Sequence, residues 1–445
     1  MTTMLGPGPD GGTAMDGVAQ SGSDDEGTAA GPAAPVAMAS AERLSSLDFI
    51  RGIAVMGILA ANIVAFGQPF SAYMFPDSFR VPVNDPGGWM WIAQLVLVDG
   101  KMRGLFSLLF GAGMMLFMEK AWAKGQDRRL QFRRLCWLLV FGLIHYFFIW
   151  RGDILTYYAI IGMVALLCLR WKARTQLVVG LLGYLVGALM LAAMLVPFYL
   201  AAETPMGEQP AFAEMREGAL EQQEYALEDD RVDTGLKLAG DYAGLIAHRF
   251  DVHLADPAVG ILMFFLETFP LMLIGIALYR FGLFSGGLDP GRMRLWGWIG
   301  VLAGGACHLA IGLWVKAAGF SYWSTLAAMM GMTVLPRLAM VLGLAALLSL
   351  YAPRATGWLG QRVSAAGRAA FTNYLGTSIV MMIVFHGWAL GLFGQLDRPQ
   401  LYLVVLLTWG LMLLWSKPWL ERYRFGPLEW LWRCLTYGRL FALRR

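Results

Sequence analysis

The sequence predicts an all-α fold: a polytopic membrane helical bundle of about ten transmembrane helices, both termini cytoplasmic. Three observations predict it. Apolar runs long enough to cross roughly 30 Å of hydrocarbon recur along the chain. Of its 445 residues 58% are hydrophobic and 15% charged, where soluble proteins carry about 25% charged residues. Mean hydropathy is +0.55, and the 17 Trp and 53 Gly suit headgroup anchors and close helix packing. An ordinary soluble enzyme, a disordered chain and a disulfide-stapled domain are all excluded.

Taken in order, residues 1–42 are rich in Gly, Ala, Ser, Asp and Pro and are expected to form a disordered cytoplasmic tail. The tail is too acidic to be a secretory signal. The transmembrane domain is expected over 43–418, with apolar runs at 48–67, 104–119, 134–150, 154–170, 176–200, 258–280, 293–317, 323–351, 369–394 and 399–417. Residues 88–98 read as an interfacial or re-entrant helix leading into the second run, and Pro336 should kink the eighth. Lys and Arg concentrate in alternate loops, as in Lys120–Arg134, Arg170–Arg174 and Arg354–Arg368, which sets the orientation. Both termini are therefore expected on the cytoplasmic side of the membrane, with lipids as partners. The long outer loop 202–257 carries Glu214, Glu217, Glu221, Glu224 and Glu228 on one helical face, either a solvated surface or a lid over an outer site. Residues 419–445 alternate Trp and Arg and read as an amphipathic segment on the inner leaflet.

An ionisable side chain in hydrocarbon is costly, so each one is a functional candidate. The first span places Asp48, Arg51 and Asn62 on one face with Val55 and Ile58, Asn62 about 16 Å beyond Arg51. His145 lies near the end of the third run, and the short turn Trp150–Asp153 makes runs three and four an antiparallel hairpin. That hairpin brings Asp153 and Tyr157 near His145. An imidazole oriented by a carboxylate is a general-base arrangement. His386 shares a helical face with Arg368 and Thr372, and Asn373 opens the same run. Glu267 and Arg337 lie near mid-membrane and each needs a partner, for which the other is one candidate. The group Asp99, Lys101 and Arg103 sits on the outer side against the charge trend, as an interfacial anchor or an anion site.

The four cysteines, Cys136, Cys168, Cys307 and Cys434, have no CxxC spacing and suggest neither disulfides nor zinc. No metal, haem or nucleotide-binding constellation is visible, so no permanently bound cofactor is expected. The net charge of +4 sits in short loop clusters and implies no nucleic-acid partner.

Five segments carry a family resemblance: LDFIRGIAVMGILAANI at 47–63, LFSLLFGAG at 105–113, GLIHYFFIWRGDILTYYAIIG at 142–162, GRAAFTNYLGTS at 367–378 and FGPLEWLWRCLTYG at 425–438. In this order they resemble the YeiB-like bacterial membrane family, domain of unknown function 418, across about residues 43–440. The first helix is also similar to that of the heparan-α-glucosaminide N-acetyltransferase group and, more distantly, to other transmembrane acyltransferases. Such relatives move an acyl group from cytoplasmic acyl-CoA to an acceptor across the membrane. One departure is clear: those acetyltransferases carry a functional histidine between their first two helices, and none occurs here between Asn62 and Phe110.

The resulting expectation is an acyltransferase with acyl-CoA as co-substrate and an outer acceptor hydroxyl or amine (sugar, lipid or metabolite). His145, oriented by Asp153 or Tyr157, would be the base. Arg51 and Asn62 would hold the donor or polarise its thioester, while Asp48, Tyr157, Arg337, Arg368, Thr372, Asn373 and His386 would complete the binding groups. A transporter or exporter of a small metabolite, lipid or peptide is the alternative, and a homodimer is allowed for.

Overall fold

The computed structural model describes residues 33–81 and 85–445. The first 32 residues of the expected tail lie outside the described residues. Sixteen α-helices follow in order: α1 Ala33–Gly67, α2 Asp85–Leu97, α3 Lys101–Trp122, α4 Arg128–Ile144, α5 Leu155–Leu167, α6 Ala173–Glu203, α7 Ala213–Ala239, α8 Tyr242–Val252, α9 Asp256–Arg280, α10 Pro290–Ala317, α11 Tyr322–Leu326, α12 Val334–Tyr351, α13 Trp358–Arg368, α14 Ala370–Phe385, α15 Arg398–Arg422 and α16 Pro427–Tyr437. Among the described residues no strand forms, and the chain is an all-α bundle. It is a membrane protein by its helices: eight are long and apolar enough to cross a bilayer, nine if α13 and α14 count as one broken span. The short apolar helix Leu155–Leu167 corresponds to the fourth sequence run, 154–170.

The two irregular spans have local causes. The run at 323–351 is interrupted by a π-helical turn, Ala327–Met332, and Pro336 then falls in the first turn of α12. Proline lacks a backbone N–H that this turn does not need, so the break sits ahead of it rather than at a mid-helix kink. The run at 369–394 is bent by 87° where α13 meets α14, and its helix ends at Phe385. Glu429 of α16 makes that elbow possible. Its carboxylate accepts the N–H groups of Phe371 at 2.7 Å and Thr372 at 3.0 Å, and the Thr372 hydroxyl at 2.6 Å. These are the orphan donors that open α14.

Asn373 ties the elbow to α15, donating to Ala366 O (3.0 Å) and Ser416 Oγ (3.1 Å) and accepting from Trp415 Nε1 (2.9 Å). Beside it α1 and α13 touch backbone to backbone: a Cβ on Gly52 would lie 2.1 Å from Val363 O, and one on Gly367 would lie 1.8 Å from Asp48 O. Small residues permit such approach in membrane helices. Three of the family-like segments therefore meet at one structural joint.

The core is formed mainly by α1, α3, α5, α9, α12 and α14, whose inward faces are largely apolar, with a few buried ionisable groups and hydroxyl or amide side chains such as Ser107, Thr268, Asn373, Thr377 and Ser378. α7 and α8 lie across one end of this bundle. The opposite end carries the loop between α3 and α4, the elbow and α16.

Candidate functional site

A cavity of about 520 Å³ opens beneath α7, within the size range of small-molecule sites. Helix α1 contributes Asn62 to its wall, the α4–α5 hairpin contributes Trp150, Arg151 and Asp153, and α5 contributes Tyr157. The hairpin is as the tight turn requires. A single π-helical turn, His145–Ile149, ends α4 and swings the imidazole inward.

His145 Nδ1 lies 2.8 Å from Asp153 Oδ1, and both side chains are shut off from solvent. The other Asp153 oxygen accepts the Thr156 N–H at 2.8 Å, fixing the carboxylate in the first turn of α5. His145 Nε2 is buried without a hydrogen-bond partner. The imidazole lies beside the rings of Tyr374, 5.2 Å away, and Trp150, 6.3 Å away. Since Trp150 lines the cavity, His145 stands one side chain behind its wall. Tyr157 stacks on Phe264 at 4.0 Å and faces the same space.

The floor holds the ionisable groups of mid-span. Arg337 NH1 donates to Glu267 at 2.9 and 3.1 Å, and its NH2 reaches Met329 O at 2.6 Å. Arg103 pairs with the same carboxylate, and Tyr184 donates to it at 3.3 Å. Asp99 accepts from Gln94 at 3.0 Å and Tyr73 at 3.2 Å. Lys101 is fully buried and donates to Leu95 O, so the group Asp99, Lys101 and Arg103 is interior rather than an interfacial anchor. Gly100, at φ +71°, lets the chain turn into α3 directly against the Arg337 guanidinium, where a Cβ would sit 2.2 Å from Nε.

The mouth is an ionic clasp. Arg151 NH1 donates to Asp229 Oδ2 at 2.7 Å, and NH2 lies 3.3 Å from Asp230 Oδ1. His248 and His253 approach the other Asp229 oxygen at 2.8 and 3.0 Å, and His253 Nδ1 meets Asp256 at 2.8 Å. Burial opposes ionisation of both Asp229 and His253. The bond from His253 and the Arg151 charge nevertheless hold the Asp229 carboxyl below its usual range. Hydrogen bonds to Asp229 and Asp256 outweigh burial at His253 and push it up to about 9. Asp229, His248 and His253 have the donor types of a metal site. The Arg151 guanidinium, 2.7 Å from both His253 Nε2 and Asp229 Oδ2, already supplies the positive charge at their centre.

Asn62, Asp153, Tyr157 and Arg337 are thus brought to one cavity, with His145 one side chain behind its wall. The others are not. Asp48 and Arg51 pair at 3.0 Å near the opposite end. Thr372 and Asn373 serve the elbow, where Arg368 is exposed. The helical face expected to join His386 to Arg368 and Thr372 is broken by the 87° bend, and His386 follows the last residue of α14 instead. It packs near Trp388, ring to ring at 6.2 Å, under the end of α7. Sequence reasoning missed Asp229, Asp230, His248, His253 and Asp256. Two histidines five residues apart, flanked by acids, were the available signal. The glutamate face of α7 is exposed, while Asp229, Asp230 and Asp233 turn inward.

A small void of about 10 Å³, the size of one water, lies between α1 and α14. Val55, Ile58 and Asn62 line it from one side, Tyr374, Thr377 and Ser378 from the other. It continues the polar stripe of α1 away from the cavity.

Comparison with known proteins places this architecture. Residues 278–439 match the family model described as protein of unknown function (DUF418). The uncharacterised protein YeiB of Escherichia coli (strain K12) is 30% identical over 400 residues, 89% of this chain and 96% of YeiB. The uncharacterised protein YxaH of Bacillus subtilis (strain 168) is 30% identical over 412 residues, covering 89% and 94%. A 39.9 kDa protein of the amylase 3' region in Bacillus acidopullulyticus is 25% identical over 408 residues. No solved structure matches the chain.

Proposed function

Starting from a chain that belongs to the YeiB-like DUF418 family, we propose a membrane-embedded acyltransferase that acylates a small polar acceptor held in the cavity beneath α7. The observation that carries this reading is the buried Asp153–His145 pair at the cavity wall, with one imidazole nitrogen uncommitted. The acceptor hydroxyl or amine gives its proton to this pair. Its oxygen or nitrogen bonds to the acyl carbon as the carbon–sulfur bond of the thioester breaks, and the proton returns to the departing thiolate. Acyl-CoA is a co-substrate rather than a resident cofactor. Its phosphates suit the basic end that holds Arg51 and the α3–α4 loop, which the Lys and Arg asymmetry favours as the cytoplasmic side of what we take to be a bacterial inner membrane. Only a void of about 10 Å³ lies on the α1–α14 route from Arg51 to Asn62, so these helices would have to part for the linear pantetheine arm to reach the acceptor.

The test is isotopic acyl transfer and thermal stabilisation of purified protein by acetyl-CoA and longer acyl-CoAs. His145→Ala and Asp153→Asn should lower transfer by about 10²-fold or more while leaving donor stabilisation intact. No stabilisation by any acyl-CoA would remove the reading. A transporter is favoured by one observation: Arg51 is absent from the cavity lining, so the space is reached from the α7 end. Solute uptake into vesicles without acyl-CoA consumption would select that alternative.

A further inference from the structure

We infer that the floor of the cavity binds a compact oxyanion, a carboxylate or phosphate carried by the acceptor, on the Arg103 guanidinium. The inference deepens the acyl-acceptor reading and rests on it for the identity of the molecule, though not for the anion site. Three guanidiniums, Arg103, Arg337 and Arg398, meet two carboxylates, Asp99 and Glu267, around this floor. Guanidinium groups do not lose their proton in proteins. Arg103 and Arg337 share the single carboxylate of Glu267, so positive charge is in local surplus at that contact, while the acids of the mouth, Asp229, Asp230 and Asp256, are taken up by Arg151 and His253; an uncompensated charge away from water is costly.

The donors decide where an anion would sit. Arg337 commits NH1 to Glu267 and NH2 to Met329 O and Thr333 Oγ1. Arg398 is buried, donates to Gln94 at 2.8 Å, lies over the Phe79 ring and is absent from the lining. Arg103 is different. It lines the cavity with 28% of its side chain exposed, and among the described residues its guanidinium makes one hydrogen bond, from NH2 to Glu267. Nε and NH1 remain for a ligand. The Phe264 ring, 4.9 Å from the guanidinium carbon, holds its plane from one side. A planar fork fixed in this way matches the two oxygens of a carboxylate or phosphate. At the mouth, Arg151 is satisfied by Asp229 and Asp230 and offers no competing site.

The experiment is a thermal-stability titration of the detergent-purified full chain without acyl donor, at ionic strength held constant with sodium chloride. The probes are inorganic phosphate, acetate and glycerol 3-phosphate, with neutral glycerol as control; phosphatidic acid in mixed micelles tests a lipid source. The expected result is saturable stabilisation by the oxyanions and none by glycerol, with the midpoint concentration raised at least tenfold in Arg103→Gln. Saturation by phosphatidic acid alone would make the acceptor a lipid with the same oxyanion contact. Should Arg103→Gln fail to fold, Arg103→Lys keeps the charge without the fork and should weaken binding several-fold. No saturable shift with any anion, or an unchanged midpoint in the variant that folds, overturns the inference. Transfer to neutral acceptors without anion binding would remove this site alone; anion binding without transfer would remove only the acyltransferase reading.

Discussion

Glu267 and Arg337 show how single side chains decide the interior. Each is 4% exposed, and their pairing satisfies two charges that hydrocarbon rejects. Breaking a buried pair leaves the survivor uncompensated, which costs about 3–5 kcal/mol. Arg337→Met should fall near the lower end, because Arg103 and Tyr184 still serve Glu267. Chemical unfolding in detergent checks this, and Arg337→Met combined with Glu267→Gln should recover part of the loss. The need of each residue for a partner was legible from its position in an apolar run. That they partner one another was only one of the possibilities the sequence left open, because they lie 70 residues apart and meet only through the packing of α9 and α12 on α3 and α6.

At the scale of elements, α7 and α8 are fastened to the bundle by the clasp around Asp229. Asp229 of α7, His248 of α8, Asp256 of α9 and Arg151 of the hairpin all face His253 or its partner oxygen. His253 has a folded-state pKa above its ordinary 6.5, so its contribution is complete below pH 6.5 and fades as pH rises through about 9. Hydrogen exchange across 213–239, corrected for intrinsic rate, should accelerate between pH 7 and 10 in the wild type. In His253→Ala it should be fast throughout. The elbow depends on Glu429 in the same way that a helix start depends on its cap. Burial raises the Glu429 pKa, while hydrogen bonds from Thr372 and Phe371 oppose the rise. Glu429→Ala should cost about 1–2 kcal/mol in a denaturant titration, with the loss confined to the α13–α14 joint in exchange measurements. Neither device was readable beforehand: the face drawn through Arg368, Thr372 and His386 ran straight through Ala369, and the acidic segment 202–257, a solvated surface or a lid by its sequence, gave no sign of which acids turn inward.

For the molecule as a whole, the cavity has one polar end and one closed end. In a variant with the four native cysteines replaced by alanine, Asn62→Cys should react with a small charged thiol reagent applied from the side that carries α7. It should stay unreactive from the side that carries α16. Equal labelling from both sides would mean that the bundle opens to the opposite face as well, through the α1–α14 void.

What the chain determines locally it also announces. Apolar run length follows from bilayer thickness, so the spans appear in the sequence with their approximate limits. The Trp150–Asp153 turn is too short for anything except a hairpin, so the approach of Asp153 and Tyr157 to His145 follows from spacing, while the structure decides that Asp153 is the one bonded to the imidazole. The cavity, the Arg103–Glu267–Arg337 cluster and the inward face of α7 are decided only in three dimensions. Each joins side chains from separate helices, and in a bundle the rotation of a helix about its axis is set by what its neighbours bury.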